Sequence, residues 1–418
     1  MNEIKIGFAK ADITPPVGTE LAGYAGYRPC TQIHDPLWCK TVVLEQPSGR
    51  YGLMVLDLMC VDESLYLRIA QAVSDFGISK ERLIVSAIHS HAAPRGGIPG
   101  DGPLDAVNHG DLVHVDTFHA YMDQVVAAAR EACRQSVEAL APFTVRSSHS
   151  AIPPIGSERH TDDAPQSEMT VLQIRTDKGG NLILCNFPCH PTVLSAQNLQ
   201  VSADFAGCME AQLDADMTVF INGAAGDIST RFTRREASFD ECARMGAIAA
   251  GHVRTALEGL PFIQPEPVKG IHKRIELKPR KVETLTSARR QLEETTARWK
   301  QAEAKGADAA QVRILKSYAE GAIVNLQFAQ TMAGIHSLHL PVSVFRFCGV
   351  DFVSIPGELF SALQPQGISI IGYANGYYRY IAGQAAYEAG YYETMAAIIA
   401  PGEGERLVEQ IKQLLSLL

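Results

Sequence analysis

The stretch Leu83-Ile84-Val85-Ser86-Ala87-Ile88, with His89-Ser90-His91 directly after it, indicates the fold more clearly than any other part of the sequence. Its largely apolar residues are typical of a buried strand, and the polar residues mark the end of that strand. Residues two apart on an extended segment point to the same side, so both imidazoles are predicted to face one site. Neutral imidazole is a good zinc ligand, which makes this pair a candidate metal-binding motif. A structural role is an equally open alternative for the motif taken alone.

Two more strand ends carry residues of the same chemical kind. The apolar run at residues 182–187 leads to His190-Pro191-Thr192, and the run at 350–355 leads through Pro356-Gly357 to Glu358. A first-row metal requires ligands from separate elements, and a carboxylate completes many zinc sites. A structural histidine and a capping glutamate are the alternatives when each is considered alone.

A glycine-rich segment and a tyrosine-rich segment complete the candidate site. Residues 222–229 follow the apolar run at 217–221, and such a turn brings backbone N–H groups close to a ligand or an oxyanion. A simple tight turn is the other interpretation. Residues 375–392 contain six tyrosines, which usually pack and form hydrogen bonds. A phenolate beside a divalent cation can also act as a ligand or an acid.

The remaining pattern predicts an α/β fold, with mixed β-sheets flanked by helices. Helical periodicity at residues 65–76 and 118–140 separates several of the strand-like runs. The Pro-Ser-Gly turn at residues 47–49 joins two strands as a hairpin, so part of the sheet is predicted to be antiparallel.

Residues 283–332 show a different pattern, a three-four apolar repeat that is interrupted at 305–308. It predicts an antiparallel helical-hairpin insertion with a coiled-coil seam. Residues 1–282 and 333–418 are then expected to form one metal-hydrolase catalytic domain. A packing arm, or a contact between subunits of a homo-oligomer, is favoured over a substrate lid because such stripes usually only bury apolar surface.

The composition limits the class of protein. The chain has 418 residues, of which 46% are hydrophobic and 20% charged, as in soluble globular proteins. A net charge of -9 without a dense Lys/Arg run argues against a nucleic-acid partner. No signal-peptide core or bilayer-length apolar run is found, so no stable membrane insertion is expected. The nine cysteines lack CxxC spacing, which favours a reducing cytoplasmic location.

Taken together and in this order, nine segments resemble the catalytic region of the neutral/alkaline, non-lysosomal ceramidase family. They cover residues 4 to about 259 and about 342 to 394. The matching segments are Ala11-Asp12-Ile13-Thr14-Pro15-Pro16, Ala22-Gly23-Tyr24, Ile33-His34-Asp35-Pro36-Leu37, His89-Ser90-His91, His190-Pro191-Thr192, Ser202-Ala203-Asp204, 222–229, Pro356-Gly357-Glu358 and 375–392.

The resemblance implies a zinc ion (Zn²⁺) and its ligands. In that family the metal is held by the first histidine of the HxH motif, the histidine of the HP motif, the glutamate after PG and a downstream tyrosine. The matching residues are His89, His190, Glu358 and, by its spacing from residue 375, Tyr380.

The resemblance also implies catalytic roles for four other residues. His91, the second histidine of the HxH motif, would assist proton transfer, and Tyr392 would contact the substrate. Arg159 is the candidate for the arginine that binds the reacting group. Ser229 occupies the position of a serine once proposed as the nucleophile, but a zinc-bound water makes a serine nucleophile unnecessary.

The expected activity is therefore zinc-dependent hydrolysis of an amide (N-acyl) bond by a metal-activated water. Zinc lowers the pKa of bound water from about 16 to near 7 and polarises the scissile carbonyl. The chain lacks the secretion signal and the C-terminal immunoglobulin-like domain of full-length ceramidases, so a small soluble substrate is expected rather than ceramide. Two alternatives stay open: hydrolysis of an ester, lactone or other bond at the same zinc site, or a non-catalytic scaffold that uses the coiled-coil hairpin.

Overall fold

Two mixed β-sheets organise the described part of the chain. The computed structural model describes residues 4–97, 104, 108, 114–161, 163, 165, 167–332 and 334–418. In chain order the strands are β1 (Lys5–Asp12), β2 (Gln32–Ile33), β3 (Trp38–Gln46), β4 (Gly49–Leu56), β5 (Leu83–Ala87), β6 (Ala141–Ala151), β7 (Ser157–Glu158), β8 (Glu168–Thr176), β9 (Asn181–Phe187), β10 (Gln200–Val201), β11 (Met217–Asn222), β12 (Ile228–Ser229), β13 (Lys269–Leu277), β14 (Leu338–Phe347), β15 (Val350–Ser354), β16 (Glu358–Leu359), β17 (Ile368–Ile371) and β18 (Tyr380–Ile381).

The larger sheet has eight strands in the order β11-β9-β8-β6-β1-β3-β4-β5. Its two ends are parallel pairs, β9 with β11 and β4 with β5, and the strands between them are antiparallel. The smaller sheet has the order β13-β14-β15-β17. The predicted mixture of parallel and antiparallel pairing, including the β3–β4 hairpin, is confirmed.

Helices cover these sheets and form the insertion. In chain order they are α1 (Glu63–Val73), α2 (Val115–Glu138), α3 (Asp204–Glu210), α4 (Phe239–Leu257), α5 (Leu285–Ala304), α6 (Ala309–Thr331), α7 (Gln384–Glu388), α8 (Tyr392–Met395) and α9 (Glu403–Leu415). Helix α2 packs directly on β1 and β3. Gly7 permits this approach, since a Cβ atom there would lie 2.0 Å from the Ser136 carbonyl oxygen. The predicted α/β class, with helices flanking mixed sheets, is confirmed.

Burial explains why the strands that lead to the site read as continuous apolar runs. Every residue of β5 and of β11 is buried, as is usual for parallel strands covered on both faces. The ends of the two sheets also meet: the Gly372 N–H, just after β17, donates to the Asn222 carbonyl at the end of β11 (2.9 Å). Residues from both sheets can therefore reach one site.

The segment assigned to a helical hairpin contains α5 and α6, which pack against each other and are joined by residues 305–308. Thr284 and Asp308 cap the two helices by accepting hydrogen bonds from backbone N–H groups of the first turn. In the seam, the Asn325 side chain donates to the Gln291 side chain (2.7 Å). Helix α6 also packs on α8, in the tyrosine-rich segment.

None of the helices in the described part of the chain combines the length and the apolar character that a membrane crossing requires.

Candidate metal centre

The candidate centre lies where several strand ends are tied together by asparagine side chains. Asn375 accepts a hydrogen bond from the Val85 N–H (2.7 Å) and donates to the Leu83 carbonyl (3.1 Å), both on β5. Asn222, at the end of β11, donates to the Ile88 carbonyl (3.0 Å). The backbone that follows β5 is thus fixed from two directions.

His89 and His91 converge, but not for the reason that strand alternation suggests. Their Nε2 atoms lie 3.3 Å apart. Strand β5 ends at Ala87, and His89 has a φ of 70°, in the left-handed region that non-glycine residues rarely adopt. The prediction that both rings face one site is correct, whereas the predicted extended backbone at His89 is wrong. This strained conformation is typical of a functional position.

Three side chains from three strand ends meet at one point. The carboxylate oxygen Oε2 of Glu358 lies 3.0 Å from Nε2 of His190 and 3.4 Å from Nε2 of His89. All three side chains are at most 3% exposed. The motifs that supply them lie far apart in the sequence, yet the fold brings them into contact.

The hydrogen bonds behind the two imidazoles determine which nitrogen carries the proton. Nδ1 of His89 lies 2.6 Å from the Met59 carbonyl, and Nδ1 of His190 lies 3.0 Å from the Ile228 carbonyl. A carbonyl only accepts, so each neutral ring carries its proton on Nδ1 and leaves a lone pair on Nε2. Metal-binding histidines use this arrangement to fix the tautomer and the ring orientation.

The pKa values of His190 and Glu358 are both shifted from their ordinary values. Burial and then the charge of Arg159 lower the pKa of His190 to about 3, so the ring is neutral. Burial alone would raise the pKa of Glu358, but the two neighbouring histidines hold it well below the ordinary value. Nε2 of His89, Nε2 of His190 and the carboxylate of Glu358 are thus brought together as possible ligand atoms. Such a set of acceptors suits a bound cation.

Two ligand sets are compatible with the positions of these side chains. The nitrogens of His89, His91 and His190 all lie within 4.8 Å of one another and could hold a metal ion. The set implied by the resemblance to the ceramidase family replaces His91 with Glu358 and Tyr380. Tyr380 lines the same pocket as His89 and Glu358, and β18 places it directly opposite Glu358 of β16.

Arg159 lies beside both of the predicted site tyrosines. Its Nη1 donates to the Tyr392 hydroxyl (2.9 Å), the Tyr380 hydroxyl (3.4 Å) and the Gly226 carbonyl (3.1 Å). Glu393 lies 3.4 Å from the same nitrogen and balances the buried charge. Arg159 Nε is buried without a hydrogen-bond partner among the described residues. The side chain predicted from the sequence is therefore in contact with the candidate site.

The glycine-rich segment supplies carbonyl groups rather than N–H groups. Its Ala225, Gly226 and Ile228 N–H groups donate to backbone carbonyls. The Gly226 and Ile228 carbonyls accept from the side chains of Arg159 and His190. The expectation that this turn offers backbone N–H groups to an oxyanion is therefore wrong for these three residues. Ser229 lines the pocket and pairs with His190 through a backbone bridge.

Sequence reasoning missed two tyrosines that support the ligands. The Tyr377 hydroxyl donates to Oε1 of Glu358 (2.6 Å), which leaves Oε2 for the centre. The ring of Tyr373 stacks on His89 with a centroid distance of 4.0 Å. Tyr377 belongs to the tyrosine-rich segment, so a signal was present, but Tyr373 precedes that segment and carries no motif of its own.

The centre opens into a pocket of about 310 Å³, and the helical hairpin forms part of its wall. Helix α6 contributes Arg313, Ser317 and Glu320, among other residues, to the lining. One helix of the insertion therefore encloses part of the candidate site, whereas a packing arm or a contact between subunits stays a prediction.

Comparison with known proteins agrees with this fold. The family described as neutral/alkaline non-lysosomal ceramidase, N-terminal, matches residues 4–235. The crystal structure of neutral ceramidase from Pseudomonas aeruginosa has a TM-score of 0.76 at 15% identity, over 99% of this chain and 74% of that chain. A ceramidase complexed with C2 gives a TM-score of 0.73 at 14% identity, over 99% of this chain and 75% of that one. No curated protein matched the sequence.

Proposed function

Because the chain belongs to the neutral/alkaline non-lysosomal ceramidase family, we propose that this hydrolase is a zinc-dependent amidohydrolase that cleaves the N-acyl bond of a small soluble substrate. The observation that carries the proposal is the meeting of His89, His190 and Glu358: Oε2 of Glu358 lies 3.0 Å from Nε2 of His190 and 3.4 Å from Nε2 of His89. Nitrogen and oxygen ligands of this kind suit zinc, which is also the family's metal.

We propose that His89, His190, Glu358 and Tyr380 hold the metal. Burial and the nearby Glu358 raise the pKa of Tyr380 well above its ordinary value, so this phenol keeps its proton unless a cation binds beside it. When bound, zinc supplies a water whose pKa is near 7 and polarises the scissile carbonyl.

His91 is the proposed proton carrier. Its Nε2 faces His89, and its ring lines the pocket. Burial, followed by the proximity of His89 and His190, lowers its pKa well below the ordinary value, so the ring is neutral and has a lone pair on one nitrogen. It would take the proton from the attacking water and pass it to the leaving amine.

Tyr392 and Arg159 are proposed to bind the oxygen of the scissile carbonyl. The Tyr392 hydroxyl accepts hydrogen bonds from Arg159 (2.9 Å) and Arg231 (3.5 Å). Guanidinium groups have no acceptor, so the hydroxyl's own proton is directed to neither of them. That proton is left to donate to the substrate as negative charge develops.

The pocket and the order of its residues support two further parts of the proposal. A cavity of about 310 Å³ lies at the small end of the range for ligand sites, which suits a small molecule better than a lipid with two chains. His89 and His190 precede the insertion and Glu358 follows it. Residues 1–282 and 333–418 are therefore proposed to form one catalytic domain, with 283–332 as an insertion. The nine free cysteines are in keeping with the proposed cytoplasmic location.

A competition assay tests the choice of bond and substrate. Zinc-loaded protein is offered short N-acyl amines, the matching esters, lactones and detergent-dispersed ceramide, and kcat/KM is measured for each. We expect the short amides to have the highest kcat/KM. Turnover of esters or lactones alone would establish the alternative hydrolase, and preference for ceramide over every soluble amide would contradict the small-substrate proposal.

A further inference from the structure

Arginines outnumber acidic residues in the described lining of the pocket, which the composition of the chain does not explain. Over the whole sequence, acidic residues outnumber lysine and arginine by 46 to 37. Among the described residues that line the pocket, however, six are arginines and only two, Glu320 and Glu358, are acidic. The arginines are Arg95, Arg159, Arg231, Arg234, Arg313 and Arg379. A bound divalent cation would make the pocket still more positive.

Arg231 and Arg313 lie on the wall where the hairpin meets the rest of the pocket. The Arg231 guanidinium donates hydrogen bonds to two neutral groups, the hydroxyls of Ser317 (3.4 Å) and Tyr392 (3.5 Å). Arg313, on α6, forms an ion pair with Glu320 (2.8 Å) and has only 32% of its side chain exposed. This pair of arginines thus brings two guanidinium charges against one carboxylate.

Each of these two arginines contacts a tyrosine that in turn contacts a residue beside the centre. The Tyr392 hydroxyl accepts hydrogen bonds from both Arg231 and Arg159, so it lies between these two cations. The guanidinium of Arg313 lies 5.9 Å from the ring of Tyr24. That ring in turn contacts His91 with a centroid distance of 4.9 Å. An anion bound by this pair would therefore be close to the reacting bond.

The charges indicate what kind of substrate fits. A neutral molecule that fills the pocket would remove water from these guanidinium groups without replacing its hydrogen bonds, which is costly for charged groups. A carboxylate would supply the missing acceptor, and the planar fork of arginine matches its two oxygens. The structure therefore favours an anionic substrate over a neutral one.

We propose that Arg231 and Arg313 bind a carboxylate carried by the substrate near its amide bond, so that N-acyl amino acids and related N-acyl carboxylates are the preferred substrates. This inference rests on the proposed function, because it names the substrate class of the same site. The two arginines determine specificity, whereas bond cleavage is assigned to the residues at the centre.

The test compares N-acyl amino acids with their carboxamide analogues, which have the same acyl group and differ in charge. With zinc-loaded enzyme, kcat/KM for the carboxylates should exceed that for the carboxamides by about tenfold or more, as expected when a charge-assisted hydrogen bond is available. Arg231→Gln and Arg313→Gln should bring this ratio close to unity without loss of zinc. Arg231→Lys, which keeps the charge but not the fork, should give an intermediate ratio and also serves if Arg231→Gln does not fold.

Arg290→Gln is the matched control, because Arg290 lies on α5 of the same insertion with 77% of its side chain exposed. It should leave the ratio unchanged. A ratio near unity in the wild-type enzyme, or a ratio that survives both glutamine substitutions, would overturn the inference.

A binding measurement separates this inference from the proposed function. Calorimetry with zinc-loaded protein compares N-acetylglycine, N-acetylglycinamide and the matching N-acetyl aminophosphonate. Tighter binding of the carboxylate, lost in Arg231→Gln, would support the inference even if no amide is cleaved, a result that would refute the proposed function alone. Equal binding of the carboxylate and the carboxamide would overturn the inference, and tighter binding of the phosphonate would overturn the choice of a carboxylate.

Discussion

His91 is the residue whose role differs between the two compatible ligand sets. It belongs to the group of three histidines that could hold a metal, and it also lies beside His89 in the position of a proton carrier. The buried contact between Glu358 and both His89 and His190 favours the proposal that the carboxylate is a ligand and that His91 is the proton carrier.

We therefore expect His91→Ala to keep its zinc and to lose turnover by a factor of about 100 to 10,000, the usual contribution of a general acid or base. Elemental analysis and kcat measurements on the same preparation check both parts. His119→Ala on α2 is a suitable control, since His119 is not among the described residues that line the pocket. If zinc is lost together with activity, His91 is a ligand.

Ser229 provides the second prediction at this scale. Its hydroxyl accepts a long hydrogen bond from the backbone N–H of Arg231 (3.4 Å), and among the described residues no histidine is hydrogen-bonded to it that could remove its proton. Ser229→Ala should therefore keep substantial activity. A covalent acyl adduct on Ser229, detected by mass spectrometry after incubation with substrate, would show that the serine is the nucleophile after all.

The sequence indicated some residues of the candidate site and not others, for a physical reason. His89, His190 and Glu358 each stand in a short motif, and Arg159 was expected from its place between two of these motifs. Tyr373 and the left-handed backbone of His89 were not, because both depend on contacts between distant segments. A motif predicts which chemical groups are present, but the tautomer of His89 depends on the Met59 carbonyl, which no motif marks.

Among the secondary-structure elements, the ends of the strands position the side chains of the candidate site, and the helical hairpin encloses part of the pocket. The apolar runs indicated the strands, and the interruption of the three-four repeat at residues 305–308 indicated a break between two helices. Helix α5 ends just before this interruption and α6 begins just after it. The sequence did not indicate which surface α6 covers, because a packing arm and a pocket wall would bury the same apolar stripe. Contact between subunits through the hairpin stays a prediction.

Gly321 tests the contribution of the hairpin to the pocket. A Cβ atom at this position of α6 would lie 3.0 Å from the Tyr392 carbonyl oxygen and 3.3 Å from Cβ of Met395. Gly321→Leu should therefore push α6 away from α8 and lower kcat/KM, while zinc content stays the same because the ligands lie elsewhere. Gly251→Leu on α4 is the control, since a Cβ atom at that position would have no described neighbour within 4 Å. Unchanged kinetics in Gly321→Leu would mean that the packing of α6 does not matter for catalysis.

At the scale of the whole molecule, a buried ion-pair cluster connects the large sheet to α3. Nζ of Lys40, on β3, lies 2.7 Å from Asp57 and 2.6 Å from Glu210, and the lysine side chain is only 3% exposed. Removing the cation would leave two carboxylates without their partner. None of these three residues is among the described residues that line the pocket, so the cluster reports on stability.

Lys40→Met should lower the free energy of unfolding by about 3 to 5 kcal/mol, the usual cost of breaking a buried ion pair from one side. Denaturant titration measures the change, with the exposed Lys300→Met as the control. A change below about 1 kcal/mol would mean that water or proton uptake replaces the lysine at little cost.

The proposed activity depends on a metal held by His190 and its neighbours. The most direct measurement is hydrolysis of a short N-acyl amine by protein stripped with a chelator, by the same protein after addition of zinc, and by His190→Ala treated alike. We expect no activity in the stripped protein, recovery as zinc content approaches about one ion per chain, and neither zinc uptake nor recovery in the variant. Full activity in metal-free protein, or full zinc content and activity in His190→Ala, would contradict this proposal.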